Sequence, residues 1–275
     1  MIRKLAIIAG RGTLPRLVAE AADAAGTSRL VAELEGFESP LGAGATRFRL
    51  ERLVPFLDHL VDEGVSHVCF AGAVHRPRLD PALLDPGTMQ LLPRIMAALH
   101  DGDDATLRAV VALFEEWGLE VIGVDTLCPD LLPGPGALST REPGPQDRED
   151  ATRAAAIVAA LGAVDIGQGC VVARKLCLAV EALPGTDAML VHVAALRGRD
   201  GPWAGQRGGV LFKAAKPGQD RRMDLPALGP DTLRAAHAAG LNGIAFAAGS
   251  VLVLERATMA ALADELGLFL WARAA

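Results

Sequence analysis

The chain has 275 residues, 51% of them hydrophobic, which is enough for one large core or two modest ones and argues against disorder. Its net charge of -6 and aromatic share of 4%, with no tyrosine, offer neither a basic phosphate-tracking surface nor base-stacking platforms, so nucleic acid is not an expected partner. No signal-peptide core follows the opening Met-Ile-Arg-Lys, and the apolar stretch from His237 to Leu254 is interrupted by Asn242, Ser250 and glycines; a cytoplasmic chain without a membrane span is expected.

In chain order, the apolar run Leu5 to Ala9 reads as a buried strand that stops at Gly10. Leu14, Leu17, Val18 and Ala21 then recur at helical spacing, with Gly26 as the stop. Leu30 to Leu34 reads as a second strand. Leu53, Phe56, Leu57, Leu60 and Val61 mark a helix closed by Gly64, and Val65 to Ala71 is the next strand. Asp103 and Asp104 open a further helix at its positive dipole end. Its apolar face is Leu107, Val110, Val111, Phe114 and Trp117, and Leu119 to Val124 follows as a strand. Strands alternating with helices predict a parallel, Rossmann-like α/β sheet over residues 1–133.

Between Cys128 and Pro145 prolines and glycines cluster too densely for a helix or a central strand, so residues 134–145 read as a linker. Residues 146–275 read as a second, mixed α/β domain. It has a helix from Arg148 to Leu161, strands near Cys170 to Ala173, Leu176 to Glu181 and Val210 to Ala214, and helices near Asp187 to Leu196, Asp231 to Ala239 and Met259 to Leu266. The four cysteines form no C-x-x-C pair and lie in or near apolar stretches, which predicts reduced, buried thiols.

Several segments carry chemistry. Gly10-Arg11-Gly12 directly after the first strand can bring backbone N–H groups close to a phosphate. It is an incomplete dinucleotide fingerprint, because Pro15 stands where G-x-G-x-x-G has its third glycine, although Glu33 lies at the right distance to hold a ribose. Gly72 and Arg76, with His75 between them, sit at a strand end, where open α/β sheets bind ligands. Asp103 and Asp104 are either a third acidic site or plain dipole complements. In the second half, Gln168 precedes a strand, and Thr186 and Asp187 open a helix as a cap or as contacts to an anionic ligand.

The richest segment runs from Lys213 to Asp224. Lys213, Lys216, Arg221 and Arg222 can offset pyrophosphate charge, while Asp220 and Asp224 are oxygen ligands suited to a hard divalent ion. Asp224 between Met223 and Leu225 suggests a carboxylate in an apolar setting, which needs a partner. His237 reads as a half-buried histidine rather than a base.

Taken in order, LAIIAGRGTLP, VCFAGAVHRP, HDGDDATLR, VDIGQGCVV, VEALPGTDAML and KAAKPGQDRRMDLP make the chain similar, over nearly its whole length, to the LpxI-type UDP-2,3-diacylglucosamine pyrophosphatases. It departs from the family pattern at Arg11, Ala73 and His75. The resemblance implies hydrolysis of UDP-2,3-diacylglucosamine to UMP and 2,3-diacylglucosamine 1-phosphate (lipid X), a cytoplasmic step of lipid A synthesis near the inner membrane. It also implies Mg2+, or Mn2+ or Co2+ in its place, a homodimer, and an essential aspartate that maps onto Asp224 of the D-L-P motif.

The expected catalytic residues are then Asp224 and Lys213, with Asp224 and Asp220 toward metal. The expected substrate contacts are Gly10, Arg11, Gly12, Gly72, Arg76, Gln168, Thr186, Asp187, Lys216 and Arg222. The apolar run Met89 to Leu99 is a candidate wall for the acyl chains or ordinary core. Two rival functions remain: a nicotinamide-dependent oxidoreductase, against which Pro15 argues, and a non-catalytic sugar-nucleotide sensor.

Overall fold

A run of apolar residues without alternation can only be satisfied by burial on both faces, and β1 (Lys4–Ala9) is buried along almost all of its length. In the computed structural model, which describes residues 2–74, 79–100, 103–198 and 200–274, β1 is the centre of a parallel sheet. The first unit continues through α1 (Leu14–Ala24), β2 (Ser28–Leu34), β3 (Thr46–Phe48), α2 (Leu53–Asp62) and β4 (His67–Ala71). Then come α3 (Pro86–His100), α4 (Asp103–Glu116), β5 (Glu120–Val121) and α5 (Val124–Leu127). Its strand order is β3-β2-β1-β4-β5, and every pair is parallel. The order therefore reverses between β1 and β4, the usual ligand-binding point of such sheets. Phe56, Leu57, Leu60, Val111, Leu113 and Phe114 cover the sheet residues Ala6, Ile8 and Val68.

Two local readings change. The run from Leu119 is a strand only at Glu120 and Val121, because Gly123 turns the chain into α5. The Met89 to Leu99 run lies in α3, a helix that accommodates Pro93 in its interior. Leu91 and Ile95 pack on the core, whereas Met89 and Met96 remain exposed.

The second unit holds β6 (Gly136–Ala137), α6 (Pro145–Ala163), β7 (Gly169–Ala173), β8 (Leu176–Val180), α7 (Gly185–Gly198) and β9 (Val210–Lys213). It continues with β10 (Ala227–Leu228), α8 (Pro230–Ala238), β11 (Gly243–Ala247), β12 (Leu252–Val253), α9 (Arg256–Glu265) and β13 (Phe269–Arg273). The main sheet has the order β6-β13-β11-β9-β7-β8; β13, β11 and β9 are parallel, while β7 runs against both β9 and β8. Side chains alternate across it, as the two-residue period requires. Cys170, Val172, Val210 and Phe212 pack with Ala151, Ala154 and Val158 of α6. Val171, Leu211, Ile244 and Phe246 pack on the other face with Leu190, Val193, Leu233 and Met259.

The division of the chain is discontinuous. One unit comprises Met1–Pro129 and Asp220–Asp224, the other Asp130–Gln219 and Leu225–Ala275. Residues 134–145, read from composition as a linker, contribute to the second unit's fold. Gly136 and Ala137 pair antiparallel with β13, and Leu270 N–H donates to Ser139 Oγ at 2.7 Å. A strand of two residues escapes composition-based reading, because its only requirement is a free backbone edge.

The β7–β8 hairpin turns through Arg174 and Lys175, both in the left-handed region (φ 51° and 65°), as a tight two-residue turn demands. Buried Asp150 accepts from both backbone N–H groups, at 3.0 and 2.6 Å, and offsets the strain. This fixes the register of the hairpin, and with it the position of the residues at its open end.

Candidate active site

Because β7 is antiparallel to both of its neighbours, the start of β7 and the ends of β8 and β9 share one rim of the second sheet. Gly169 pairs with Lys213, and Glu181 N–H donates to Gly169 O at 2.8 Å. Thr186, in the first turn of α7, completes the group. Lys213 Nζ donates to Thr186 Oγ1 at 2.7 Å, and Thr186 Oγ1 donates to Glu181 Oε1 at 3.0 Å. Lys213 Nζ lies 3.7 Å from Glu181 Oε1. Lys213 and Glu181 are 6% and 8% exposed, so both charges have left bulk water and depend on one another. Glu181 Oε2 and Gln168 Oε1 are buried without a hydrogen-bond partner among the described residues. Gly169 makes room for this carboxylate: a methyl group built there would lie 2.5 Å from Glu181 Oε2. The Thr186 hydroxyl is thus given to Glu181 rather than to a helix cap, and Asp187 beside it is exposed.

The remainder of the charged segment is split between the units. Lys216, in the second unit, pairs with Asp165, and its N–H donates to Gln219 Oε1 at 2.9 Å. Asp220, Arg222 and Asp224 belong to the first unit. Both Asp220 oxygens accept from the Arg222 guanidinium, at 2.9 and 2.7 Å, and Arg222 reaches Glu115 of α4 at 2.7 Å. The Arg222 hydrogen bond holds the Asp220 carboxyl below its ordinary range, against an opposing push from burial; the Arg222 pKa is raised by the same bond. Met223 packs on the first unit's core. Asp224 is exposed, so the apolar setting expected from its neighbours does not arise: Met223 and Leu225 turn inward and leave the carboxylate outward. Local sequence showed the charges but not that Lys216, Asp220 and Arg222 find partners within the protein.

At the strand-order reversal of the first sheet, the turns after β1 and β4 are stitched together. Gly10 N–H donates to Ala71 O, Arg11 N–H to Ala73 O, and Ala73 N–H to Arg11 O, at 2.8, 3.0 and 3.0 Å. Gly10 and Gly72 permit this approach, since a methyl group on Gly10 would lie 2.6 Å from Ala73 O and one on Gly72 would lie 2.6 Å from Arg11 O. Gly12 stays open above, and the Arg11 side chain reaches Gly36 O and the Phe37 ring. Glu33 is buried and accepts from Ser39 N–H at 3.0 Å, so it anchors the turn after β2. His75 and Arg76 lie outside the described residues, as do the side chains of Asp103 and Asp104.

The structure therefore gathers Gln168, Thr186 and Lys213 on one rim, and Gly10, Arg11, Gly12 and Gly72 on another. Glu181 was visible in the sequence only as the end of a strand. Its partners are 5 and 32 positions away, which no local spacing signals.

Two α/β units, one with a parallel sheet whose strand order reverses between β1 and β4 and one with a buried lysine–carboxylate rim, match two descriptions in succession. Residues 4–131 match the LpxI N-terminal domain and residues 134–271 the LpxI C-terminal domain. The chain belongs to the LpxI family. It is 40% identical, over 98% of its own length and 96% of the relative's, to the UDP-2,3-diacylglucosamine pyrophosphatase LpxI of Caulobacter vibrioides.

Proposed function

We propose that this chain hydrolyses the pyrophosphate bond of UDP-2,3-diacylglucosamine, releasing UMP and 2,3-diacylglucosamine 1-phosphate for lipid A synthesis in the cytoplasm. The observation that carries the reading is the 40% identity to the Caulobacter vibrioides pyrophosphatase, which runs through both domains. Lys213, held by the Thr186 hydroxyl, stabilises charge on the phosphates, with Gln168 as a polar contact. The backbone at Gly10, Gly12 and Gly72, with Arg11, approaches the nucleotide side of the substrate. Lys216 and Arg222 add positive potential in competition with their own carboxylate partners.

A divalent ion fits Asp224, whose exposed carboxylate offers a hard oxygen ligand. It fits Asp220 poorly, because both oxygens of that carboxylate are held by Arg222. Among the described residues no group of three or more His, Cys, Asp or Glu could hold a metal ion, so Asp224 would share the ion with substrate phosphates, as Mg2+ commonly requires. Such an ion supplies Lewis-acid polarisation of a phosphoryl oxygen. Mn2+ or Co2+ is expected to substitute.

Among the described residues no helix is long and apolar enough to cross a membrane. The two acyl chains of the substrate favour a lipid surface, so the substrate would be met at the inner-membrane surface, and exposed Met89 and Met96 on α3 support that helix as a wall for acyl chains. Purified protein should release UMP from the acylated substrate with Mg2+ present and lose that release with chelator, and it should bind deacylated substrate more weakly. Binding of the acylated UDP-sugar with no UMP released would leave only the sensor function.

A further inference from the structure

We infer that Glu181 is a positioning residue for Lys213, acting through the Thr186 hydroxyl. The inference deepens the proposed function and rests on it. Thr186 has a single O–H. It is spent on Glu181 Oε1, which turns an oxygen lone pair toward Lys213 Nζ. The direction of both hydrogen bonds is thus set by the carboxylate at the end of the relay. Lys213 has three N–H donors; Thr186 takes one, and the Glu181 carboxylate 3.7 Å away attracts the ammonium without a direct hydrogen bond, so donors remain for a phosphate oxygen.

Burial makes this arrangement costly as a purely structural device. A carboxylate with one buried oxygen lacking a donor stabilises a fold less than an apolar residue of the same shape. The chain nevertheless has a glycine at 169, where a methyl group would lie 2.5 Å from Glu181 Oε2 and displace the carboxylate from this position. The carboxylate also keeps the ammonium charge in place before the substrate arrives, so that the rim does not reorganise as phosphate charge develops.

The test is UMP release by the full chain. Relative to wild type, Glu181→Gln should lower kcat about 10- to 100-fold with KM changed less than about threefold, because the lost interaction acts on the transition state through Lys213. Lys213→Met should lose more. The double variant should match Lys213→Met alone, since a residue that works only through Lys213 has nothing left to position. Thr186→Ser should stay near wild type and Thr186→Val should fall to the level of Glu181→Gln. If Glu181→Gln does not fold by circular dichroism, the Thr186 pair carries the test: a loss with Val and recovery with Ser sustains the relay. Wild-type kcat in Glu181→Gln or Thr186→Val, or losses that multiply in the double variant, would overturn it. Wild-type protein without turnover would overturn the proposed function itself, whereas turnover that is indifferent to Glu181 overturns only this inference.

Discussion

Asp220 and Asp224 sit four positions apart in one segment, and their surroundings divide them. Asp220 is locked to Arg222, while Asp224 is exposed and is the carboxylate proposed above to act on the substrate. Asp224→Ala should therefore cut UMP release about 100-fold or more. Metal-dependent turnover that survives the substitution would remove Asp224 from the chemistry. The cysteines divide in the same way. All four read as buried from sequence, yet Cys177 is exposed on β8 while Cys69 and Cys170 are buried. A hydrogen bond from Cys170 lowers the Cys177 thiol to about 6, against partial burial, and raises that of Cys170. A lowered thiol is deprotonated above its pKa, so alkylation of Cys177 by iodoacetamide should rise through pH 6 and level off near neutrality, with Cys170 far slower. Peptide mass spectrometry reads this directly; a Cys177 rate that climbs only above pH 8 would contradict it.

At the scale of elements, β1 and β2 were legible as short unbroken apolar runs, and α1, α2 and α4 as 3.6-residue repeats that end at a glycine. α3 was not, because Pro93 looks like a terminator and Met89 and Met96 place apolar residues on its exposed side. The candidate rim was legible only in pieces. Lys213, Thr186 and Gln168 each drew attention, but their meeting depends on the antiparallel placement of β7 between β8 and β9, a long-range pairing that no window of sequence contains. The glycines at 10 and 72 were assigned to phosphate contact on local pattern, and the structure gives them a prior duty in joining two turns. Gly72, with φ of 94°, has both a backbone conformation and a clearance that alanine lacks. Gly72→Ala should cost about 1–3 kcal/mol, seen as a lower urea midpoint. An unchanged midpoint would mean that the two turns separate freely.

For the whole molecule, the resemblance to the family leads to an expected homodimer, and the second unit has an exposed apolar edge. β8 is an edge strand with Leu176 and Val180 exposed, and Leu183 just beyond it is 91% exposed. Light scattering at micromolar concentration should return twice the chain mass; the mass of a single chain would remove the dimer. The discontinuity of the first unit has its own consequence, which concerns time. Its sheet is fully encoded by Val121, but Arg222 and Met223, which bind Glu115 and the first core, are translated only after most of the second unit. At about 5–20 residues per second, roughly 5–20 s separate Pro129 from Asp224 on the ribosome. The nascent first unit waits through that interval without the Arg222 partner of Glu115, and Asp224 arrives as its last component, so a product of synthesis stalled in between carries the whole parallel sheet without the segment that closes its unit.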